Sequence, residues 1–555
     1  MRRSTGWSGS VAERDLPRMR WWGWGDPEHP AGLGAEAGAF LAETVGELPP
    51  PRPPVALSHV RLAPTSLGEG TLDRLRAIVG PEHVRDDHAE RVLHAAGKGY
   101  PDLVRMRAGE PDGAPDAVVL PDGAEQLTAL LRLCAQSSLA VVPFGGGTSV
   151  VGGVSPLRGE HAGVIALDTS RMAEPLALDA ESRTVTVQAG MRAPALERHL
   201  ARTGLTLGHY PQSFEYVSLG GCAATRSAGQ ASTGYGRIEQ MITGLRMNTP
   251  TGEIALPALA ATAAGPSLRQ LLIGSEGTLG VISELSLRVR PAPRERIYEG
   301  VFFEDFSAGT RALRELIQRG AAPEVARLSD EAETRMSLAL AGSGGVKGRL
   351  GRVYLRARGY ASGCIAIFGY EGEQASARRE RGLQITRECG GLAVGRSPGE
   401  AWLKGRFAAP YLRDELLTLG VMVETLETAT QWSNVERLHT AVGKAIAEAL
   451  RDGGTPGLVM CHVSHLYETG ASLYFTFIAR QREGEELAQW REAKEAASRA
   501  IAEGGGTITH HHAVGVDHAP WMAAEVGEGG VRALRAVKEE LDPAGIMNPG
   551  KLLDR

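Results

Sequence analysis

The stretch PFGGGTSVVGG, residues 143–153, follows directly on an apolar run, LAVV, at residues 139–142. Three consecutive glycines let a backbone turn where other residues cannot, and let its N–H groups come close to a ligand. Successive N–H groups aimed into one concavity, helped by the hydroxyls of Thr148 and Ser149, form a nest suited to phosphate or pyrophosphate. A plain glycine-rich hairpin reads the same way in isolation. The flanking sequence has to decide between them.

On either side the pattern is regular. DAVVLP (116–121) reads as a short buried strand, GAEQLTALLRLCAQSS (123–138) as an amphipathic helix, and LAVVPFGGGTS (139–149) as a second strand running into the glycine loop. GVIALDTSRM (163–172) and RTVTVQAGM (183–191) read as strands, and RAPALERHLARTG (192–204) as a helix stopped by Gly204. Mixed α+β structure is expected to about residue 290. After the proline punctuation RPAPRER (290–296) the texture changes. IYEGVFFEDF is a strand, SAGTRALRELIQRG a helix and VARLSDE a strand. EGEQASARRERGLQITREC is helix-rich, GLVMCHVSHLY and ASLYFTFIAR are paired strands, and EELAQWREAKEAASRAIAEGG is a helix. The expected organisation is an N-terminal segment and connector over 1–90, a ligand-binding domain over 91–295, a cap over 296–504, and a return to the first domain over 505–555. LPPPRPP (48–54) cannot continue a helix and is expected to be an extended connector.

A chain of 555 residues is expected to hold two or more domains and to be able to bury a large ligand. A formal charge of -5 with no long basic block argues against nucleic acid as a partner. Cys134, Cys222, Cys364, Cys389 and Cys461 are scattered, odd in number and without a CxxC pair, so they are expected to be buried thiols in a reducing compartment. The first thirty residues lack the apolar core of a signal peptide, and no run approaches the length of a membrane span.

Three further segments carry a resemblance: residues 209–246, IGSEGTLGVISELSLRV (273–289) and DPAGIMNPGKL (542–552). Together with the glycine loop they resemble the FAD-binding domain of the vanillyl-alcohol oxidase and p-cresol methylhydroxylase flavoproteins. That implies an α+β fold, with a two-part FAD-binding domain of the p-cresol methylhydroxylase type and an α+β cap over the flavin ring. It implies FAD, expected to be noncovalent, with Pro143, Phe144, Gly145, Gly146, Gly147, Thr148 and Ser149 at its pyrophosphate. The rest of the cofactor would lie along Gln212, Ser213, Ser218, Thr225, Arg226, Ser227, Ala228, and along Glu276, Gly277, Thr278, Leu279, Gly280, Val281 and Ile282. In the last segment a tight helix-to-strand turn is the bland alternative.

Within those flavoproteins, the chain from about residue 19 onward resembles the alkyldihydroxyacetonephosphate synthase family of ether-lipid synthesis. MRWWGWGDPEHP, VARLSDE, YLRDELLTLGVMVETLETATQW, YETGASLYFTF and GGTITHHHAVG carry the likeness, in that order. The resemblance implies Tyr474 as the group exchanging a proton with the substrate carbon beside the carbonyl, which requires neighbours that depress its pKa. It implies Arg413 on the substrate phosphate, Arg327 as a charge near the flavin, and Thr425 where that family has a serine. His209 and Ser218 have supporting roles. By residue pattern alone, Tyr474 would pack across a strand pair and Arg413 would sit on an exposed helix.

His510, His511 and His512 are further catalytic candidates; on an extended strand only His510 and His512 would share a face. An exposed polar loop, or a metal site completed by His462 and His465, is the alternative, although no HExxH spacing supports zinc and no metal is expected. The implied reaction exchanges the acyl ester of acyl-dihydroxyacetone phosphate for an ether to a long-chain fatty alcohol without net redox, with FAD as electron sink and covalent platform. The rival reading is an FAD-dependent D-2-hydroxy acid dehydrogenase, whose relatives carry GEHGVG where this chain has HHHAVG; a flavin-binding scaffold without turnover is a third. Long-chain substrates imply peripheral membrane contact, a cytoplasmic location is expected, and a homodimer is left open.

Overall fold

A computed structural model describes residues 19–26, 33, 35–340, 353, 355–360 and 362–553. Residues 1–18 of the N-terminal segment, and the end of the tryptophan segment, residues 27–30, lie outside the described residues.

The glycine loop leaves the end of strand Leu139–Phe144 in a four-stranded sheet. Gly163–Asp168 pairs in parallel with that strand and with Ala117–Val119, while Val84–Arg85 closes the edge in antiparallel fashion. Strands buried on both faces have no use for alternation, which is why LAVV and VIAL are continuously apolar. The expected helix Ala124–Gln136 covers the sheet, packing Leu127, Leu130, Leu131 and Cys134 inward. At the C-terminus, Ile546 and Asn548 hydrogen-bond Val141 on either side of a bridge to Met547.

A five-stranded antiparallel sheet follows, in the order Pro175–Asp179, Thr184–Gln188, Val281–Arg288, Ile242–Thr249, Gly252–Leu256. Beyond Pro291 the chain enters a seven-stranded antiparallel sheet. Its order is Leu392–Gly395, Arg296–Phe303, Cys364–Glu371, Val325–Ser329, Leu458–Tyr467, Gly470–Arg480, Val421–Gln431.

Strand alternation divides the labour of this large sheet. Leu473, Phe475, Phe477, Cys461, Val463, Met422 and Leu426 face four helices, Phe306–Gln318, Ala375–Glu388, Val435–Asp452 and Glu486–Glu503, and form the largest core. The helix Val435–Asp452 contributes Leu438, Val442, Ile446 and Leu450 at helical spacing. The intervening residues Arg327, Met460, His462, Ser464, Tyr474, Thr476, Val423 and Thr425 face the other way and line a cavity that reaches the glycine loop. Four of the five cysteines are buried and Cys389 is half-buried, all as free thiols.

Candidate active site

The cavity has a volume of about 540 Å³, within the usual range for a cofactor or substrate pocket. One wall is the seven-stranded sheet; the opposite wall is built from the glycine loop and the segments 211–213, 217–230 and 276–282.

The loop wall fits a flat anionic cofactor. A Cβ at Gly146 would overlap the Tyr216 carbonyl oxygen, and Gly147 turns at φ 64, so the loop is bare by necessity. Ser149 Oγ accepts the Gly153 N–H at 2.9 Å, which closes the loop on itself. Ser218 caps the helix Leu219–Ala224, accepting the Gly221 N–H at 3.1 Å, and Glu276 holds φ 52 in the facing turn. Of the expected cofactor residues, Pro143 to Ser149, Gln212, Ser213, Ser218, Thr225, Ser227, Ala228, Glu276, Gly277, Gly280, Val281 and Ile282 line the cavity. Arg226, Thr278 and Leu279 are not among the lining. Arg226 turns away to donate to the Gln270 carbonyl at 2.6 Å, Thr278 is spent on the Ser275 carbonyl, and Leu279 is packed in the core behind.

On the sheet wall, Tyr474 lies stacked on His462, with ring centroids 4.7 Å apart, and meets His512 edge-on at 5.4 Å. His511 stacks at 6.0 Å. Arg327 Nη2 donates to Glu333 Oε1 at 2.7 Å and Nη1 to His462 Nε2 at 3.0 Å, while His462 Nδ1 donates to the same Glu333 oxygen at 3.0 Å. Both nitrogens of His462 are thereby used. His209, buried, bonds Ser227 at 3.2 Å behind the lining.

His511 and His512 line the cavity and His510 does not, which corrects the expectation that His510 and His512 would share a face. The reason is that residues 509–512 form no strand; they bend around a buried carboxylate, Glu427, and the bend ends at Ala513 with φ 76. His510 points back to the Tyr467 hydroxyl at 2.6 Å and to His511 Nδ1 at 2.9 Å.

The protonation states also differ from expectation. Burial pushes Tyr474 up to about 12, only partly offset by the Thr425 side chain beside it. The surrounding imidazoles supply no cationic charge to lower it, because burial brings His511 and His465 down to about 3 and His512 to about 4, and holds His510 well below its ordinary value. Tyr474 is therefore a neutral phenol at neutral pH, flanked by neutral imidazoles. His465, His510 and His511 bring nitrogens within 4.8 Å of one another. A metal there would have to displace either the bond of His465 Nε2 to the Gly229 carbonyl or those of its Nδ1 to the Ser464 and Ser472 hydroxyls.

Arg413 enters the cavity from helix Ala409–Thr418 with its Nε buried and without a hydrogen-bond partner among the described residues, an orphan donor facing an anion's place. Around it the cavity turns apolar: Met336, Leu412, Leu416, Val423, Met460 and Ile478 make an arm that continues into a hydrophobic cluster with Leu41 and Val45. The tryptophan segment clamps this helix: Trp24 N–H donates to Asp414 Oδ2 at 2.6 Å, and Trp24 itself lines the cavity. Sequence reasoning missed Glu427 and Glu333, although both lie inside or beside motifs quoted above; for Glu427 a charged residue inside the strand Val421–Gln431 was the available signal, and Glu333, in the first turn of helix Glu331–Leu340, offered none.

The comparisons agree with this geometry. Residues 115–255 match the FAD binding domain family and residues 292–552 the C-terminal domain of FAD linked oxidases. The alkyldihydroxyacetonephosphate synthase of Dictyostelium discoideum is 33% identical over 90% of this chain and 83% of its own length. That of Trypanosoma brucei brucei is 34% identical over 89% and 82%. A solved alkyldihydroxyacetonephosphate synthase superposes with a TM-score of 0.84 at 30% identity, covering 96% of this chain and 98% of the other. A substrate-bound p-cresol methylhydroxylase shares the fold at TM-score 0.64 and 14% identity. The chain belongs to the alkyldihydroxyacetonephosphate synthase family, within the FAD-linked oxidases.

Proposed function

We propose that the protein is an FAD-dependent synthase that replaces the acyl chain of acyl-dihydroxyacetone phosphate with a long-chain alcohol, releasing fatty acid and forming an ether. The observation that carries this is one cavity that joins the glycine-loop wall, the Tyr474–histidine cluster, Arg413 with its Nε unpartnered among the described residues, and an apolar arm. FAD supplies a reversible electron sink for the carbon that exchanges its substituent. Arg413 binds the phosphate through its charged, planar fork, and the apolar arm holds the alkyl chain out of water.

Tyr474, as a neutral phenol, donates a hydrogen bond to the substrate carbonyl, which makes the neighbouring C–H more acidic. His511 and His512 line the cavity beside it and accept the substrate proton once the bound phosphate's charge raises their basicity, and the same imidazoles return a proton after exchange. Arg327, fixed by Glu333, holds positive charge at the cavity wall.

FAD is bound without a covalent bond in this reading: the described lining contains no cysteine, His462 and His465 have their nitrogens engaged, and Tyr474, His511 and His512 are kept for the substrate. Release of the flavin on acid precipitation tests it. Substrate delivery brings a peripheral membrane contact into the same proposal; among the described residues no helix is long and apolar enough to cross a membrane.

The deciding experiment is mass spectrometry of products from FAD-loaded protein, acyl-dihydroxyacetone phosphate and a long-chain alcohol, without electron acceptor. Alkyl ether plus free fatty acid is the expected result. No ether, together with flavin bleaching by D-2-hydroxy acids, would replace this reading with the dehydrogenase.

A further inference from the structure

Glu427 lies opposite Tyr474 in the strand register, on the cavity-facing side of strand Val421–Gln431. Its side chain is fully enclosed. Its oxygens are turned to the histidine loop: Oε1 accepts the backbone N–H groups of His511 at 3.0 Å and His512 at 2.6 Å and the Thr509 hydroxyl at 2.9 Å, and Oε2 accepts the N–H of His510. Three consecutive amides converging on one anion form a nest, here filled by the chain's own carboxylate.

Amides that converge inward throw their side chains outward, which is how His511 and His512 come to line the cavity together. The flanks are tied in the same manner. Glu525 accepts the Ile508 N–H at 3.0 Å and the Thr507 hydroxyl at 2.8 Å, and Glu276 accepts Val514 and Gly515 at 2.8 and 2.7 Å. A loop without ladder partners thus has these amides satisfied by carboxylates, two of them buried, Glu427 and Glu276, and one, Glu525, at the surface.

We propose that Glu427 is the positioning residue of this site, its carboxylate shaping the histidine loop over the Tyr474 ring and keeping a negative charge behind both. The proposal rests on the synthase reading only for what the histidines do; the placement holds for any chemistry in the cavity. Burial opposes the charge on Glu427, but the imidazoles, cationic in the acid range where a carboxyl titrates, and the N–H groups of the loop hold its carboxyl well below the usual range. Facing Tyr474 are Thr425 and Glu427 from its own sheet partner, His462 with Arg327 and Glu333 from the other side, His511 and His512 from the loop, and Arg413 from the helix opposite, while Glu424 lies on the far face of the same strand, bonded to Trp490. Burial keeps the phenol protonated, Thr425 and Arg413 oppose it, and the Glu427 and Glu424 charges add to it. Removing the Glu427 charge makes Tyr474 easier to ionise.

The test compares FAD-loaded full-length Glu427→Gln and Glu427→Asp with the unmodified protein by amide hydrogen exchange over residues 507–515 and by ultraviolet titration of tyrosine, with Tyr474→Phe as the subtraction. In Glu427→Gln the loop amides exchange at least ~10-fold faster, Tyr474 ionises at lower pH than in the unmodified protein, and turnover falls about 100-fold from misplaced imidazoles. Glu427→Asp loosens the loop but keeps the original tyrosine titration. Unchanged exchange and titration in Glu427→Gln would overturn the proposal, as would identical titrations in the two variants. If Glu427→Gln loses FAD, loop exchange in Glu427→Asp decides: unchanged, it overturns the proposal. If the unmodified protein forms no ether, the synthase reading fails while exchange and titration still judge Glu427.

Discussion

Replacing Arg327 with alanine isolates the electrostatics of the sheet wall. The guanidinium sits between Glu333 at 2.7 Å and His462 Nε2 at 3.0 Å. Its removal leaves a buried carboxylate with one charged-group neighbour. Breaking a fully buried pair costs about 3–5 kcal/mol; the Arg327 side chain is 28% exposed, so water replaces part of it and the loss falls to about 2–3 kcal/mol. The remaining histidine then shifts as well. Burial and the guanidinium keep His462 below its ordinary value while Glu333 pulls the other way; without Arg327 the depression is smaller. A depressed histidine costs stability as pH falls through its unfolded value, near ~6.5, and Arg327→Ala is relieved of part of that cost. The deficit of Arg327→Ala is therefore full at about pH 8.5 and reduced at about pH 5.5. Thermal unfolding of FAD-loaded protein, followed by circular dichroism at both pH values, reads it. Equal deficits at the two pH values, or none, would refute the network as described.

Tyr474→Phe should lower kcat by about 100- to 1,000-fold, the usual loss for one donor to a developing oxyanion, with FAD content unchanged; an undiminished rate excludes the phenol from the chemistry. Arg413→Lys keeps the charge but not the fork, and should raise KM for the phosphorylated substrate about 10-fold with little effect on kcat. Gly146→Ala pushes a Cβ into the Tyr216 carbonyl, so the purified protein should lack flavin absorbance while retaining its circular dichroism.

The glycine loop and the strands around it were legible because their constraints are local: a bare turn after an apolar run, alternation on one-sided strands, helical spacing on their covers. Tyr474 and Arg413 were reachable only through resemblance, since an alternating aromatic strand and an Arg–Asp pair on a helix have ordinary explanations. The protonation states were not legible. They depend on how deeply the histidines and Tyr474 are enclosed, and burial is a property of the assembled sheet and loops. The facing of the three histidines failed for a related reason: alternation assumes a strand, and what shapes residues 510–512 is Glu427, more than eighty positions earlier in the chain.

The tryptophan segment shows the same dependence on long-range contact. Trp24 N–H holds Asp414, Gly25 turns at φ 78 where any Cβ would overlap the Tyr411 ring, and Gly23 faces Asp414 so closely that a side chain would displace it. All three contacts fall within two residues of Arg413, on the helix that brings it into the cavity. The two glycines are therefore there for a helix almost four hundred residues away, and their effect reaches substrate through the guanidinium. Gly25→Ala adds left-handed strain of about 1–2 kcal/mol and moves Tyr411. It should raise KM for the phosphate-bearing substrate while leaving FAD binding and the Tyr474 titration as they were. A fall in kcat with KM unchanged would place the segment's role elsewhere than at Arg413.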